Sequence, residues 1–309
     1  MYKIAIAGAG AMGGRIGTQI KEAGYDVTLL DYWPEHVKNI KENGMRIQTE
    51  NQDYFLEIQA EFPNQVNEQF DLIIILTKSM QAEKIITELY DCHAIKKDTA
   101  ILSMMNGLGH DKLLSKVVPE SQIFLAVTMW TASLKGPGQL LLEGDGSIEL
   151  QRADGKLDSR TNIINDIFNE AKLNSKISDN VFKSIWTKAT LNSVLNPLCS
   201  ILGKKIGEFA SYNESRSMIK LIIEEIVEVA NKKGIDLDVK SMINKIESSY
   251  PENAQGLHYP SMYHDLKSGR LTEIDFLNGQ IADYGSELGI PTPINKMMKH
   301  MIHQLENKN

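Results

Sequence analysis

The sequence predicts an α/β protein with an N-terminal Rossmann-type doubly wound sheet and a second, all-helical domain. Apolar strand-like runs alternate with helical stretches up to about residue 150. Glycine, aspartate and serine then dominate between Gly144 and Ser159, and the periodicity beyond is helical nearly to the end. We therefore predict a dinucleotide-binding Rossmann domain over 1–155 and a helical substrate-binding and catalytic domain over 156–309.

The first elements predicted are a strand over 3–7, a glycine-rich turn, a helix, and a second strand over 26–30. The turn and the helix start comprise Gly8, Gly10, Ala11, Met12 and Gly13. Glycines at this spacing suit a tight turn that places a pyrophosphate at the N-terminus of a helix. Asp31 follows the second strand, where a carboxylate can hold an adenosine ribose hydroxyl. The segment predicts dinucleotide binding.

Four more strands are predicted before the change in periodicity, over 71–76, 99–104, 123–129 and 139–150. Residues 72–76 are apolar throughout, which is typical of a parallel strand covered on both faces. This pattern favours a doubly wound sheet over an antiparallel one with an exposed face.

Polar residues follow two of these strands, where ligands of open parallel sheets bind. Lys78 follows the strand 71–76 and is placed to approach a nicotinamide ribose. Asn106 follows the strand 99–104 and is placed to bond either that ribose or the substrate. The alternative is a solvated lysine and an asparagine that suits a turn.

The helical half contains three polar residues that recur at every fourth position, Lys188, Asn192 and Asn196. They share one helix face beside a stripe of leucines, so each needs a polar partner. A polar substrate is one such partner, and a hydrogen-bond network between helices is the other.

A later segment carries Ser261 and the run Thr272-Glu273-Ile274-Asp275. Ser261 can cap a short helix, and Thr272 with Asp275 has the spacing of a capping box. Glu273 in a first helical turn would complement the helix dipole. Capping and substrate binding therefore both remain open for these residues.

The composition and net charge restrict the binding partners and the cellular compartment that we expect for this protein. A net charge of -7 and only two cysteines in 309 residues argue against nucleic acid, an anionic membrane and a disulfide framework. We expect a cytoplasmic protein. Cys92 and His93 are too isolated for a metal site, so we expect no metal.

Over essentially its full length the chain resembles the ketopantoate reductases (2-dehydropantoate 2-reductases). The resemblance rests on the glycine fingerprint, Thr77-Lys78, Asn106-Gly107, the helix with Lys188, and the segments at Ser261 and Glu273. It implies that Lys188 is the general acid and that Glu273 orients substrate and lysine. It further implies substrate binding by Asn192, Asn196 and Ser261, and places Lys78 and Asn106 at the cofactor end of the cleft.

Asp31 bears on the choice of cofactor. Members that use NADPH typically have an arginine just after the second strand, whereas this chain has Asp31 there. A carboxylate within about 4 Å of a phosphate charge is opposed by roughly 4 kcal/mol at an effective dielectric near 20. We therefore expect NADH, with NADPH possible if Asp31 turns outward and Lys38 or Lys41 meets the phosphate.

The expected activity is the reduction of a 2-oxo acid to a D-2-hydroxy acid, with ketopantoate as the first candidate substrate. The alternative is the NADH-dependent branch that acts on branched or aromatic 2-oxo acids, which the motif Thr128-Met129-Trp130 resembles. A non-catalytic dinucleotide-binding regulator is a remote alternative, because both Lys188 and Glu273 are present. The family resemblance also allows a homodimer.

Overall fold

The computed structural model describes residues 2–307. They form two compact units. The first unit comprises the residues up to 105 together with 110–181, and the second comprises 106–109 together with the residues from 182 onward.

The first unit carries twelve strands among the described residues. They are β1 (Lys3–Ala7), β2 (Asp26–Leu30), β3 (Met45–Gln48), β4 (Asp53–Leu56), β5 (Gln59–Glu61), β6 (Phe70–Ile75), β7 (Ile95–Ser103), β8 (Ile123–Thr128), β9 (Thr131–Gly136), β10 (Gln139–Glu143), β11 (Ile148–Arg152) and β12 (Ser175–Ile177). Its helices are α1 (Ala11–Glu22), α2 (Pro34–Asn43), α3 (Ala82–Asp91), α4 (His110–Leu114) and α5 (Ser159–Glu170).

Eight of these strands form one sheet in the order β12-β11-β8-β7-β6-β1-β2-β5. All neighbouring pairs are parallel except β11 with β8. The centre of the sheet is inaccessible to solvent, since the side chains of Leu72 to Ile75 in β6 are fully buried. A strand covered on both faces needs apolar residues at every position, and this explains the unbroken apolar run. The predicted Rossmann-type sheet is confirmed.

A second sheet in the first unit was not predicted. Its order is β4-β3-β10-β9. Its strands are short, and β4 and β9 alternate between exposed and half-buried residues, so no continuous apolar run marks them. The single strand predicted over 139–150 is wrong, because β10 and β11 belong to different sheets.

The second unit is helical in its described part, as predicted. Its α-helices are α6 (Val181–Leu202), α7 (Ile206–Ala210), α8 (Ser215–Lys232), α9 (Val239–Glu247), α10 (Ser261–Lys267), α11 (Asn278–Leu288) and α12 (Pro293–Glu306). In α8 the buried residues Ile219, Ile222, Ile223 and Ile226 recur at helical spacing and form part of the core. Burial of such apolar faces holds the helices together.

The compact units divide the chain later than the predicted boundary after residue 155. Helix α5 buries Ile164, Ile167 and Phe168 in the core of the first unit, and β12 pairs with β11. Conversely, Leu108 lies within the first half of the sequence but is buried in the core of the second unit. The local composition change after Gly144 therefore marks a loop region, whereas the packing of distant side chains sets the division.

Candidate active site

The glycine-rich turn of the first unit is shaped by close backbone contacts. Gly8 has a φ of +103°, and a Cβ on it would lie 2.5 Å from the Thr77 nitrogen. A Cβ on Gly13 would lie 1.8 Å from the Gly8 carbonyl oxygen. These two glycines are therefore required for packing within the protein itself.

Gly10 differs, because a Cβ on it would have no atom of the chain within 4 Å. Helix α1 begins directly after it without a side-chain cap, and its first helical bond runs from Gly14 N to Gly10 O, 2.7 Å. The N–H groups before this bond lack an intrahelical acceptor and lie at the positive end of the helix dipole. Open space in front of such a helix end fits a pyrophosphate.

Asp31 is bonded to the glycine-rich turn. One carboxylate oxygen accepts the N–H of Ala9 at 2.8 Å, and the other accepts the N–H of Trp33 at 2.9 Å. The side chain is half-buried and does not turn outward. Each oxygen retains a second lone pair, so the carboxylate can still accept a bond from a ribose hydroxyl.

The lysines considered for a phosphate are engaged with carboxylates. Lys41 donates to both carboxylate oxygens of Glu61, at 2.8 and 2.7 Å. The exposed Lys38 lies 3.9 Å from Glu42. Both lysines are thus paired within the protein rather than placed together beside Asp31.

A residue that the sequence analysis missed, His36, supports the same turn. It is fully buried, its Nε2 lies 2.9 Å from the Ala9 carbonyl oxygen, and its Nδ1 accepts the N–H of Gly138 at 2.9 Å. Since Nδ1 accepts, the neutral ring must donate through Nε2. Burial lowers the pKa of His36. Its sequence signal was the helical spacing with the buried residues Val37 and Ile40.

Lys78 lies one residue beyond Thr77, the residue that contacts Gly8. It occupies the position before a short 3-10 turn, and its side chain is half-buried. Both interpretations of Lys78, a solvated lysine and a ligand of the nicotinamide ribose, therefore stay predictions. The structure brings together Lys78, the glycine-rich turn and Asp31 in the first unit.

Trp130, from the motif that resembles the NADH-dependent branch, packs inside the first unit. The guanidinium carbon of Arg15 lies 4.0 Å from the centroid of the indole ring. The indole Nε1 donates a hydrogen bond to the Leu173 carbonyl oxygen at 2.8 Å. Its contacts are structural.

In the second unit, α6 presents the three polar residues at every fourth position. Lys188 and Asn192 are half-buried, and Asn196 is buried. The expected partial desolvation of this helix face is therefore present. Burial lowers the pKa of Lys188 to about 8, and the negative charge of Glu273 acts in the opposite direction.

Glu273 is only 8% exposed. Asn106 Nδ2 donates to its Oε2 at 3.5 Å, although the two residues are far apart in the sequence. The structure thus brings Asn106, Lys188 and Glu273 into one electrostatic cluster within the second unit.

Backbone contacts hold Asn106 in this cluster. The next residue, Gly107, has a φ of +100°, and a Cβ on it would lie 2.6 Å from the Phe276 carbonyl oxygen. Leu108 N donates to the same oxygen at 2.9 Å. Gly107 thus provides a bend directly after Asn106, and this bend presents the asparagine to Glu273.

The capping interpretation is wrong for both Thr272 and Ser261. Glu273 occupies the N-cap position of the 3-10 turn Ile274–Phe276, and this turn has no side-chain cap. Thr272 Oγ1 accepts the N–H of Ile274 at 3.3 Å. Ser261 is the first residue of α10, Pro260 occupies the N-cap position, and the helix has no side-chain cap. The Ser261 side chain is exposed and thus accessible to a ligand.

Residues 2–307 contain neither a candidate membrane span nor a candidate metal cluster. None of these helices is long and apolar enough to cross a membrane. No group of three or more His, Cys, Asp or Glu side chains in this part of the chain is arranged to hold a metal ion.

Two protein-family profiles match the chain. The family described as "Ketopantoate reductase PanE/ApbA" matches residues 4–155, and "Ketopantoate reductase PanE/ApbA C terminal" matches residues 180–306. Together they span most of both units.

Individual proteins match over nearly the full length. The chain is 38% identical over 307 residues to a 2-dehydropantoate 2-reductase of Lactococcus lactis subsp. lactis (strain IL1403), covering 98% of each protein. It is 38% identical over 302 residues to a 2-dehydropantoate 2-reductase of Streptococcus pyogenes serotype M1, covering 97% of each. Among solved structures, a D-mandelate dehydrogenase in ternary complex with NADH and anilino(oxo)acetate is 40% identical, with a TM-score of 0.95 over 99% of both chains.

Proposed function

The chain belongs to the ketopantoate reductase family of oxidoreductases, and we propose that it reduces ketopantoate to D-pantoate with NADH. One observation carries the proposal. The half-buried Lys188, with its pKa lowered to about 8, shares the second unit with the buried Glu273 and with Asn106. An acid of this pKa beside a carboxylate and an amide suits carbonyl reduction near neutral pH.

The chemistry requires a proton donor at the carbonyl oxygen of the substrate. Bound NADH supplies the hydride that reduces the carbonyl carbon. Lys188 stabilises the negative charge that develops on the oxygen and donates its Nζ proton there. Glu273 keeps the lysine protonated and oriented, since its charge favours the ammonium form.

The remaining polar residues are proposed to hold the substrate. The amides of Asn192 and Asn196 lie on the same helix face as Lys188, and Ser261 offers an exposed hydroxyl. Amides and hydroxyls can bind a carboxylate and hydroxyl groups without adding charge. Asn106 binds either the substrate or the nicotinamide ribose, and Lys78 binds the cofactor.

The preference for NADH is proposed from Asp31. Its bonds to Ala9 and Trp33 hold the carboxylate at the glycine-rich turn, where it can accept a ribose hydroxyl and oppose a 2'-phosphate. We expect kcat/KM with NADH to exceed that with NADPH by about tenfold or more, which corresponds to about 1.4 kcal/mol. Asp31→Ser should reduce this ratio, whereas Asp26→Ser at the other end of β2 should not. Preference of the wild type for NADPH would contradict the proposal.

A second candidate activity is the reduction of aromatic or branched 2-oxo acids. The similarity to a D-mandelate dehydrogenase, with 40% identity and a TM-score of 0.95, favours it. Both candidates share one mechanism and differ only in the group beside the carbonyl.

A substrate panel separates the two. The wild type is assayed with NADH and ketopantoate, 2-oxoisocaproate or benzoylformate, and the configuration of each product is determined. The highest kcat/KM with ketopantoate supports the first activity, and a clear preference for another substrate supports the second. No oxidation of either reduced cofactor with any of the three acids would contradict both.

A further inference from the structure

Helix α6 contains a proline at the site. Pro197 lies inside the helix and follows Asn196 directly. Since proline has no N–H, the carbonyl four residues earlier, that of Ser193, loses its usual helical donor. This carbonyl lies directly after Asn192, and Ser193 is fully buried. Without another donor this buried carbonyl would be left unsatisfied, which destabilises the fold.

The replacement donor comes from a different helix. Asn278, the first residue of α11, donates from Nδ2 to the Ser193 carbonyl oxygen at 2.9 Å. Its side chain is fully buried, so water does not compete for this bond. The amide of Asn278 thus occupies the role of the N–H that Pro197 lacks.

The orientation of this amide is determined by a chain of hydrogen-bonded partners. Asn278 Nδ2 also donates to Asn295 Oδ1 at 3.0 Å, and Asn295 Nδ2 donates to Glu225 Oε2 at 2.7 Å. The Glu225 carboxylate accepts the N–H groups of Ile294 and Asn295 at 2.9 Å each. Because a backbone carbonyl only accepts, Nδ2 must face Ser193.

Asn278 is linked by a short hydrogen-bonded turn to Glu273. Phe276 N donates to the Glu273 carbonyl at 3.0 Å, and Leu277 N donates to the Ile274 carbonyl at 3.2 Å. The segment from Glu273 to Asn278 therefore forms one compact turn. At its C-terminal end, Asn278 is hydrogen-bonded to α6, the helix that carries Lys188.

We propose that Asn278 is a positioning residue, whose amide replaces the donor lost at Pro197 and thereby sets the placement of Lys188 relative to Glu273. This inference rests on the proposed function, since it takes Lys188 and Glu273 to act on the substrate. A misplacement of about 1 Å can cost about 100-fold in rate. Asn278 itself is buried and acts only through these two residues.

The first test is Asn278→Ala, assayed with NADH and the best 2-oxo acid. We expect kcat to fall by about 10- to 100-fold. The dissociation constant for NADH should stay within about threefold, because the glycine-rich turn lies in the other unit. The control is Asn231→Ala, which removes an exposed amide near the end of α8 that exchanges two bonds with the backbone of Leu237. It should lower the melting temperature and leave kcat unchanged.

The second test restores the missing donor. Pro197→Ala returns an N–H that can bond the Ser193 carbonyl, so the amide of Asn278 becomes redundant. In this background Asn278→Ala should lower kcat by no more than about threefold, a non-additive rescue that a general loss of stability does not produce. If Asn278→Ala alone is insoluble, the comparison of Pro197→Ala with the double variant decides the question.

Two results would contradict the inference. They are an unchanged kcat in Asn278→Ala, including the case in which only the melting temperature falls, and an equal loss of kcat in both backgrounds. A wild type without reductase activity would instead contradict the proposed function and, with it, this inference. An active wild type with an unaffected Asn278→Ala contradicts the positioning role alone.

Discussion

Lys188 is subject to two opposing electrostatic effects. Burial favours its neutral form and is the larger effect, while Glu273 favours the ammonium, and together they lower the pKa to about 8. An acid with this pKa is largely protonated at neutral pH and still releases its proton readily. The sequence alone indicates that both effects exist, but their balance depends on how far the helix face is buried.

The first prediction concerns pH. Because the ammonium form of Lys188 is the acid, kcat/KM for reduction should be constant below about pH 8 and fall by about tenfold per pH unit above it. The value of kcat/KM falls with rising pH because deprotonation of Lys188 removes the proton that the enzyme must donate. Measuring initial rates from pH 6 to 10 tests this, and a rate that rises through pH 8 would contradict Lys188 as the acid.

The second prediction concerns removal of the acid. Lys188→Ala should lower kcat by about 10²- to 10⁴-fold and leave NADH affinity largely unchanged. The matched control is Lys183→Ala on the same helix, an exposed lysine paired with Asp236 at 2.9 Å. It should retain wild-type turnover. Equal kcat values for Lys188→Ala and the wild type would refute the role.

At the scale of elements, α2 links separate parts of the first unit. His36 near its start bonds the Ala9 carbonyl in the glycine-rich turn and the Gly138 N–H between β9 and β10. The ring must be neutral to accept from Gly138. Helical periodicity can place a histidine on a buried face, but it does not reveal which distant backbone groups the ring will bond.

The third prediction is a loss of stability in acid. Burial lowers the pKa of folded His36 below its ordinary value of 6.5, so the unfolded chain binds the proton first. The contribution of His36 to stability is therefore complete above about pH 6.5 and is lost as the pH falls below it. The urea midpoint of the wild type should fall more between pH 7 and 5 than that of His36→Gln. The exposed His300→Gln should behave like the wild type, and identical pH slopes for all three proteins would contradict the prediction.

At the scale of the whole molecule, the two compact units are not consecutive pieces of chain. Residues 106–109 interrupt the first unit and belong to the second, where Leu108 is 3% exposed and Leu108 N bonds Phe276. The second unit thus depends on a loop encoded within the first half of the sequence.

The fourth prediction tests this dependence. Leu108→Ala should destabilise the second unit by about 2–4 kcal/mol, because it leaves a cavity among residues encoded after position 181. Urea unfolding followed by helical circular dichroism measures the loss. Leu271→Ala, a leucine that is 65% exposed in the same unit, should change stability by less than about 0.5 kcal/mol. A minor effect at Leu108 would mean that the loop is dispensable.

Features that depend on local pattern could be predicted from the sequence. The apolar run of β6, the glycines at 8, 10 and 13 and the fourfold spacing of Lys188, Asn192 and Asn196 predict the sheet, the turn and the polar helix face, because backbone geometry and side-chain periodicity are local properties. Four features became visible only in the folded chain: the second sheet, the unit that holds residues 106–109, the contact of Asn106 with Glu273 and the bond from Asn278 to α6. These features depend on burial and on hydrogen bonds between residues far apart in the chain. Such distant pairings leave no periodic signal in a single sequence.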